Sequence, residues 1–365
     1  MLPVQEYLHS GKTFADLTEE FGIKTNFHPE LPLVILSYDQ IESPKIHPIV
    51  MCCRGIVLET TTYNLVCGAM TRFFNMGEAL EITDKFDWNS PINCRDKEDG
   101  SLMTAFWYKG QWMVKTRQSW ADSLICENGP KWSELFWELV GKSDTYFFPN
   151  YAYVFEMCSM WNQVVRLYPE PKLFLLTIIE FGTNREVYHT DVDFCAEKSL
   201  LERPAKIDLT NVDAVKSYIK QLEETDGTAE GLVLQDVNGL RIKVKSSTYL
   251  AYSRLGGNGN IALTRNIVPL ILANEQDEVI SIFPQIEPKI REVQEQLAYL
   301  ERHLDCSWAK CHGIEDQKEF ALAIKDEPMN SILFRMKKDG TIHKAGMLNK
   351  YFRNAEQLIL KIIDK

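Results

Sequence analysis

No run of about 18 consecutive apolar residues, the least that a membrane-crossing helix needs, occurs in this chain of 365 residues. Its first residues, Met1-Leu2-Pro3-Val4-Gln5-Glu6, lack a basic stretch leading into an apolar one. Neither a signal peptide nor a membrane span is therefore expected. Internal repeats and low-complexity tracts are missing too, which sets solenoid architectures aside. Cysteine occurs nine times, without the density or regular spacing of a disulfide scaffold. Reduced thiols, mostly small core residues, in a cytoplasmic protein are the expectation. His303, Cys306, Cys311 and His312 supply ligand atoms but not the paired spacing of common zinc sites, so they read as an ordinary helix-turn cluster. Excess positive charge is also lacking. The formal net charge of −11 argues against tight non-specific binding of nucleic acid, yet it leaves room for a local cationic groove.

The length suits two domains. Hydrophobic content of 45% and aromatic content of 11% supply material for their cores and exclude a disordered chain. Between about residues 33 and 244, short β-branched and aromatic runs bounded by turn residues predict strands at 33–38, 55–59, 102–108, 112–115, 153–158, 173–181, 231–235 and 241–244. Apolar residues three and four apart predict helices at 120–129, 131–140 and 213–224. This part reads as α+β with antiparallel-rich sheets. Gly256-Gly257-Asn258-Gly259-Asn260 marks a break. Beyond it Ile290, Val293, Leu297, Leu300 and Leu304 fall on one helix face. The expected division is 1–255 and a mainly α-helical domain at 256–365.

The most informative segment is Arg95-Asp96-Lys97-Glu98-Asp99-Gly100-Ser101, read as a turn before the strand at Leu102. A lysine nucleophile must lose its proton near neutral pH, which calls for desolvation or neighbouring cations. The same cations would hold a triphosphate and neutralise charge at phosphorus. Gly100 would permit close backbone approach or a positive φ. By itself, however, Lys-x-Asp-Gly is first of all a solvated turn.

Five charged islands sit in otherwise apolar sequence. They are Cys53-Arg54-Gly55-Ile56-Val57, Arg72-Phe73-Phe74-Asn75, Lys115-Thr116-Arg117, Phe155-Glu156-Met157, and Glu230-Gly231-Leu232-Val233 with Arg241-Ile242-Lys243-Val244-Lys245. Phe73 and Phe74 point to opposite faces if extended, so one of them belongs to the core. Lys115 and Arg117 share a face. Glu156 inside an apolar strand is costly unless paired or bound to a ligand hydroxyl. Arg241, Lys243 and Lys245 share one side of a strand, with Ile242 and Val244 on the other. Each island alone has a structural explanation; their order around Lys97 does not.

In that order the islands resemble the covalent nucleotidyltransferases, and in particular the ATP-dependent RNA ligase 1 family of T4-like bacteriophages, over most of the chain. The resemblance implies that Lys97 carries AMP as a phosphoramidate and that Lys243 and Lys245 assist at the α-phosphate. It implies nucleotide binding by Arg54, Arg72, Phe74, Gly100, Arg117, Glu156 and Glu230. Glu156 would bind the ribose, and Glu230, with Glu156, would organise a divalent metal. The implied cofactors are ATP and Mg2+, with Mn2+ as the alternative. Arg72 and Arg117 stand where the family carries lysine, which exchanges a point donor for a planar fork.

Nothing after Val244 reads as the five-stranded barrel of DNA ligases and capping enzymes. A helical tail, in this family, favours tRNA. The expected protein is a ligase joining RNA 5′-phosphate and 3′-hydroxyl ends through a lysine–AMP and an RNA–adenylate. Its expected substrate is RNA, in particular tRNA with a broken anticodon loop, and its expected partner an end-healing polynucleotide kinase/phosphatase. Two alternatives stand beside it: a DNA ligase or capping-type nucleotidyltransferase, and a catalytically silent tRNA-binding protein on the same fold.

Overall fold

A computed structural model describes residues 1–40, 42–141, 147–254, 263–273, 276–282, 286–340, 351–352 and 355–363. The chain divides into two compact units, Met1–Leu250 and Ala251–Lys365. The glycine-rich stretch on which the expected boundary rested lies outside the described residues.

Among the described residues, the first unit contains three four-stranded sheets. The first joins β1 (Ile23–Phe27), β2 (Leu33–Tyr38), β3 (Arg54–Glu59) and β4 (Leu65–Cys67) in that order, all antiparallel. Every residue of β2 is buried, which explains its unbroken apolar run. Val34 and Leu36 pack with Val4, Leu8 and Leu17 of two N-terminal helices. Leu33 and Ile35 pack on the second sheet, against Phe106, Val154 and Ile179.

The third sheet places β5 (Phe74–Asn75) parallel to β12 (Arg241–Lys245), followed by β11 (Gly231–Gln235) and β6 (Asn93–Asp96). The second sheet runs in the order β10 (Lys172–Glu180), β9 (Tyr151–Cys158), β7 (Ser101–Tyr108) and β8 (Gln111–Thr116). Helices Trp132–Gly141 and His189–Lys198 cover one face of the second sheet. Helix Val212–Thr225 covers one face of the third, where Ile242 and Val244 pack with Val215 and Ile219. Arg241, Lys243 and Lys245 are thereby left on the opposite face, as alternation requires.

All eight predicted strands form, within two residues at their ends. The expected α+β character with antiparallel-rich sheets is observed. Residues 120–129 do not form the expected helix; they make isolated bridges, Lys115 to Trp120 and Leu124 to Lys131. Pro130 disfavours helical geometry at Gly129, and Trp120 is buried against the first two sheets. Arg95 and Asp96, expected in the turn, end strand β6 instead.

In the second unit, the 25-residue helix Glu287–Cys311 buries Ile290, Val293, Leu297, Leu300 and Leu304, the face that the periodicity marks. Around it lie further helices, among them Thr264–Ala273, Asn330–Lys338 and Glu356–Ile363. His303 Nε2 lies 3.0 Å from Glu327, Cys311 is buried, and the His312 ring faces the carbonyls of Trp308 and Ala309. Among the described residues, no helix is long and apolar enough to cross a membrane.

Candidate active site

The second and third sheets wall a cavity lined by Lys97, Glu156, Glu230, Lys243, Lys245, Arg54 and Arg117. Lys97 enters it because β6 stops at Asp96 and the next four residues turn the chain into β7. The Lys97 N–H donates to the Gly231 carbonyl (2.8 Å), which fixes the turn on β11. Asp99 is buried, and its Oδ2 accepts from the Val165 and Arg166 N–H groups, both at 2.8 Å, while its Oδ1 accepts from the Tyr249 hydroxyl at 2.7 Å. The Gly100 N–H donates to Glu156 Oε1 at 3.2 Å. A Cβ at Gly100 would lie 2.4 Å from the Met157 carbonyl. Close approach, not a positive φ, is what this glycine provides.

Glu230 stands at the centre of the charge arrangement. Its Oε2 lies 2.6 Å from Lys97 Nζ and its Oε1 2.6 Å from Lys245 Nζ. The next residue must be glycine: φ is +133° and a Cβ would meet the Val244 carbonyl at 2.1 Å. Burial lowers the Lys97 pKa, but Glu230 and then Glu156 outweigh it, so the net shift is upward. This corrects the expectation of a depressed nucleophile. The sequence reading counted the cations and missed that the nearest group is a carboxylate. The depressed lysine is Lys243, pushed down to about 8 by burial and by Lys245, Lys97 and Arg54. Burial raises Glu156 to about 7 in spite of Lys97.

The other side of the cavity is an alternation of guanidinium groups and rings. Arg54 lies over Phe73 (4.8 Å) and Lys243 over the same ring (5.8 Å). Arg72 lies over Tyr38 at 4.0 Å and Arg117 over it at 5.1 Å. Arg54 and Arg72 each keep a buried Nη1 without a hydrogen-bond partner among the described residues, and that of Arg54, which lines the cavity, suits an anionic ligand. Gly55 has φ +93°, and a Cβ there would lie 2.6 Å from the Arg117 carbonyl, so β3 and the end of β8 are pressed together.

Of the residues expected to bind nucleotide, Arg54, Arg117, Glu156 and Glu230 line the cavity, as do Lys97, Lys243 and Lys245. Phe74 does not. It is 2% exposed, and Phe73 is the ring on the wall. The alternation argument put one of the pair in the core, and the core member is Phe74. Arg72 and Gly100 stand behind the lining, Arg72 against Tyr38 and Gly100 against β9. Lys115 does not share the exposure of Arg117; it is 1% exposed.

Tyr38, Phe73, Arg95, Arg203 and Val233 also line the cavity, and none of them is among the expected nucleotide-binding residues. Arg95, two residues before Lys97 on the strand that leads into its turn, could have been found from that spacing. Arg203 lies in irregular sequence and carries no such signal. Among the described residues no group of three or more His, Cys, Asp and Glu side chains is placed to hold a metal ion. Glu156 and Glu230 are two carboxylates, enough for an ion that takes its other oxygens from phosphate and water.

A viral protein from Autographa californica nuclear polyhedrosis virus, described as a bifunctional polynucleotide kinase/RNA ligase, is 26% identical over 310 residues, covering 80% of this chain and 43% of its own. The chain thus spans under half the length of that relative. Similarity to solved structures is lower. An archaeal ATP-dependent RNA ligase is 16% identical with a TM-score of 0.49, covering 89% of this chain and 90% of that one. A Naegleria gruberi RNA ligase variant with ATP and Mn is 14% identical with a TM-score of 0.38, covering 50% of this chain and 57% of that one. The model of the T4-type RNA ligase family matches residues 52–249. That span is more than half of the sequence and holds every residue of the Lys97 cavity described above except Tyr38, and the chain belongs to the RNA ligase family.

Proposed function

We propose that the chain is an ATP-dependent RNA ligase that works through a Lys97–AMP intermediate. The observation that carries this reading is the buried Glu230 carboxylate, held between Lys97 and Lys245 in the wall of a cavity that Arg54, Arg117 and Lys243 also line. The arrangement divides by chemistry. The lining cations and the unpartnered Arg54 Nη1 suit the triphosphate. Glu156 suits a ribose hydroxyl, and the apolar lining residues Leu176, Val187 and Val233 suit the base.

In the first step Lys97 Nζ attacks the α-phosphorus. The N–P bond forms, the bond to the β-phosphate oxygen breaks, and pyrophosphate leaves. The Lys97 proton has the Glu230 carboxylate beside it, and Lys243 and Lys245 balance the charge on the phosphorane. AMP then passes to an RNA 5′-phosphate, and a 3′-hydroxyl displaces it to give the phosphodiester. When bound, Mg2+ or Mn2+ would neutralise phosphate charge, with Glu230 and Glu156 as the protein's carboxylates.

The natural substrate in this reading is tRNA broken in its anticodon loop, with residues 256–365 as the specificity domain and 1–255 as the adenylyltransferase. The kinase/ligase relative supports a functional link to an end-healing kinase/phosphatase. Nine free cysteines suit a reducing cytoplasm, that of the host if a phage encodes the chain. The test is incubation with α-labelled ATP and magnesium. An acid-stable labelled adduct is expected, and Lys97→Ala should lack it; an undiminished adduct in that variant would overturn the assignment. Faster sealing of a nicked anticodon stem-loop than of a linear strand tests the tRNA assignment, and equal rates would count against it.

A further inference from the structure

Strand β10, which gives Leu176 and Thr177 to the cavity lining, contains an irregularity with its own support. Strand β10 pairs with β9 through Leu175 and Phe155, then through Thr177 and Val154. Leu176 is therefore an extra residue with no partner across the ladder, a bulge of the kind that re-aims a side chain. In a regular strand Leu176 and Thr177 would face opposite ways. Here both line the cavity while Leu175 stays in the core.

A bulge leaves carbonyls that need donors, and a single side chain supplies two. Arg203 Nε donates to the Leu175 carbonyl at 3.2 Å and Nη2 to the Leu176 carbonyl at 2.9 Å. Its Nη1 donates to the His189 carbonyl at 3.1 Å and to Asp193 Oδ1 at 2.6 Å. Four of the five guanidinium N–H bonds are thus engaged within the protein, which leaves no fork for a phosphate. Asp193 Oδ1 also accepts from Arg95 Nη2 at 2.6 Å, and Arg95 Nη1 donates to the Pro204 carbonyl at 2.9 Å. Arg95 lies on β6, two residues before Lys97. One chain of contacts therefore runs from the bulge to the strand that delivers the nucleophile. Burial and Arg95 push the Arg203 pKa down to about 10, which still leaves a cation at neutral pH.

We propose that Arg203 and Asp193 are positioning residues for the nucleobase: they hold the bulged Leu176 in the cavity wall against the base of ATP and tie that wall, through Arg95, to the Lys97 strand. The proposal rests on reading the cavity as an ATP site. It assigns the base-facing wall to a buttress whose hydrogen bonds go to backbone carbonyls and Asp193 rather than to the nucleotide.

Adduct formation is measured at varied ATP, alongside inhibition by inorganic tripolyphosphate, which probes the phosphate end alone. Arg203→Met should raise KM for ATP about tenfold with kcat nearly unchanged, a displacement effect, and should leave the tripolyphosphate inhibition constant as it was. Arg203→Lys should recover part of the loss. Leu176→Ala should raise KM as well, and the double variant should be no worse than Leu176→Ala alone, since the two act as one unit. Should Arg203→Met fold poorly, Asp193→Asn, at a half-exposed carboxylate, should show the same split at smaller size. Equal weakening of ATP and tripolyphosphate, additive losses in the double variant, or an unchanged KM would overturn the proposal. Absence of any adduct in the parent protein would instead overturn the ATP reading beneath it.

Discussion

Glu230 holds two lysines of different duty with one carboxylate, Lys97 Nζ on Oε2 and Lys245 Nζ on Oε1, each at 2.6 Å. In this state the nucleophile is an ammonium ion in a buried ion pair, stable and unreactive. Glu230→Gln would leave two cations facing a neutral amide, so the Lys97 pKa should fall. Adduct formation should nevertheless drop, by about 100-fold or more, because the proton acceptor and a carboxylate that would organise the metal are both lost. Adduct yield at saturating ATP reads this directly, and parent-like yield would remove Glu230 from the chemistry.

Lys243, pushed down to about 8, is charged below that pH and increasingly neutral above it. The kcat/KM for adduct formation, which reports the free protein, should therefore decline above about pH 8. In Lys243→Arg, whose guanidinium does not titrate there, the declining limb should move to higher pH. An unmoved limb would assign it to another group.

Burial raises Glu156 to about 7 against an ordinary 4.5. Between those values the native state holds a proton that the unfolded chain has released, so this group makes stability fall as pH rises through the window. Glu156→Gln should then melt higher than the parent at pH 8 and about equally at pH 4.5, while losing affinity for ATP. Thermal melts at the two pH values check the sign.

The paired phenylalanines should separate cleanly. Phe74→Ala empties a core position and should cost about 3–5 kcal/mol of stability. Phe73→Leu removes the ring shared by Arg54 and Lys243. It should leave the melting temperature within a few degrees and raise KM for ATP several-fold. The reverse pattern would mean that the wall residue is Phe74.

Gly231→Ala places a methyl group 2.1 Å from the Val244 carbonyl at a φ of +133°. The strain should cost about 3 kcal/mol and pry β11 from β12, separating Glu230 from Lys245. Denaturant melts and adduct yield should fall together.

Strand positions were legible because β-branched runs between turn residues leave little choice, and the lysines of β12 declared their face by strict alternation with Ile242 and Val244. Lys97, Arg54, Glu156 and Glu230 could be read as one site only from their order. What one dimension could not supply was pairing. The carboxylate nearest Lys97 lies 133 residues away in sequence, and this reverses the expected shift of its pKa. The choice between Phe73 and Phe74 needed the parallel pairing of β5 with β12. Residues 120–129 had helical periodicity, but Pro130 and the burial of Trp120 overrode it. Arg203 works through backbone carbonyls, and no side-chain pattern encodes that.

Tyr249 sits four residues beyond the last lysine of β12, in the helix Ser247–Arg254 that carries the chain across the division at Leu250, and its hydroxyl anchors Asp99 in the nucleophile's turn. A fragment cut at the end of β12 would retain every charged group of the site and still lose one of the three donors to Asp99. The shortest piece that keeps all three donors to Asp99 therefore extends beyond the last lysine of β12 to Tyr249, the penultimate residue of the first unit.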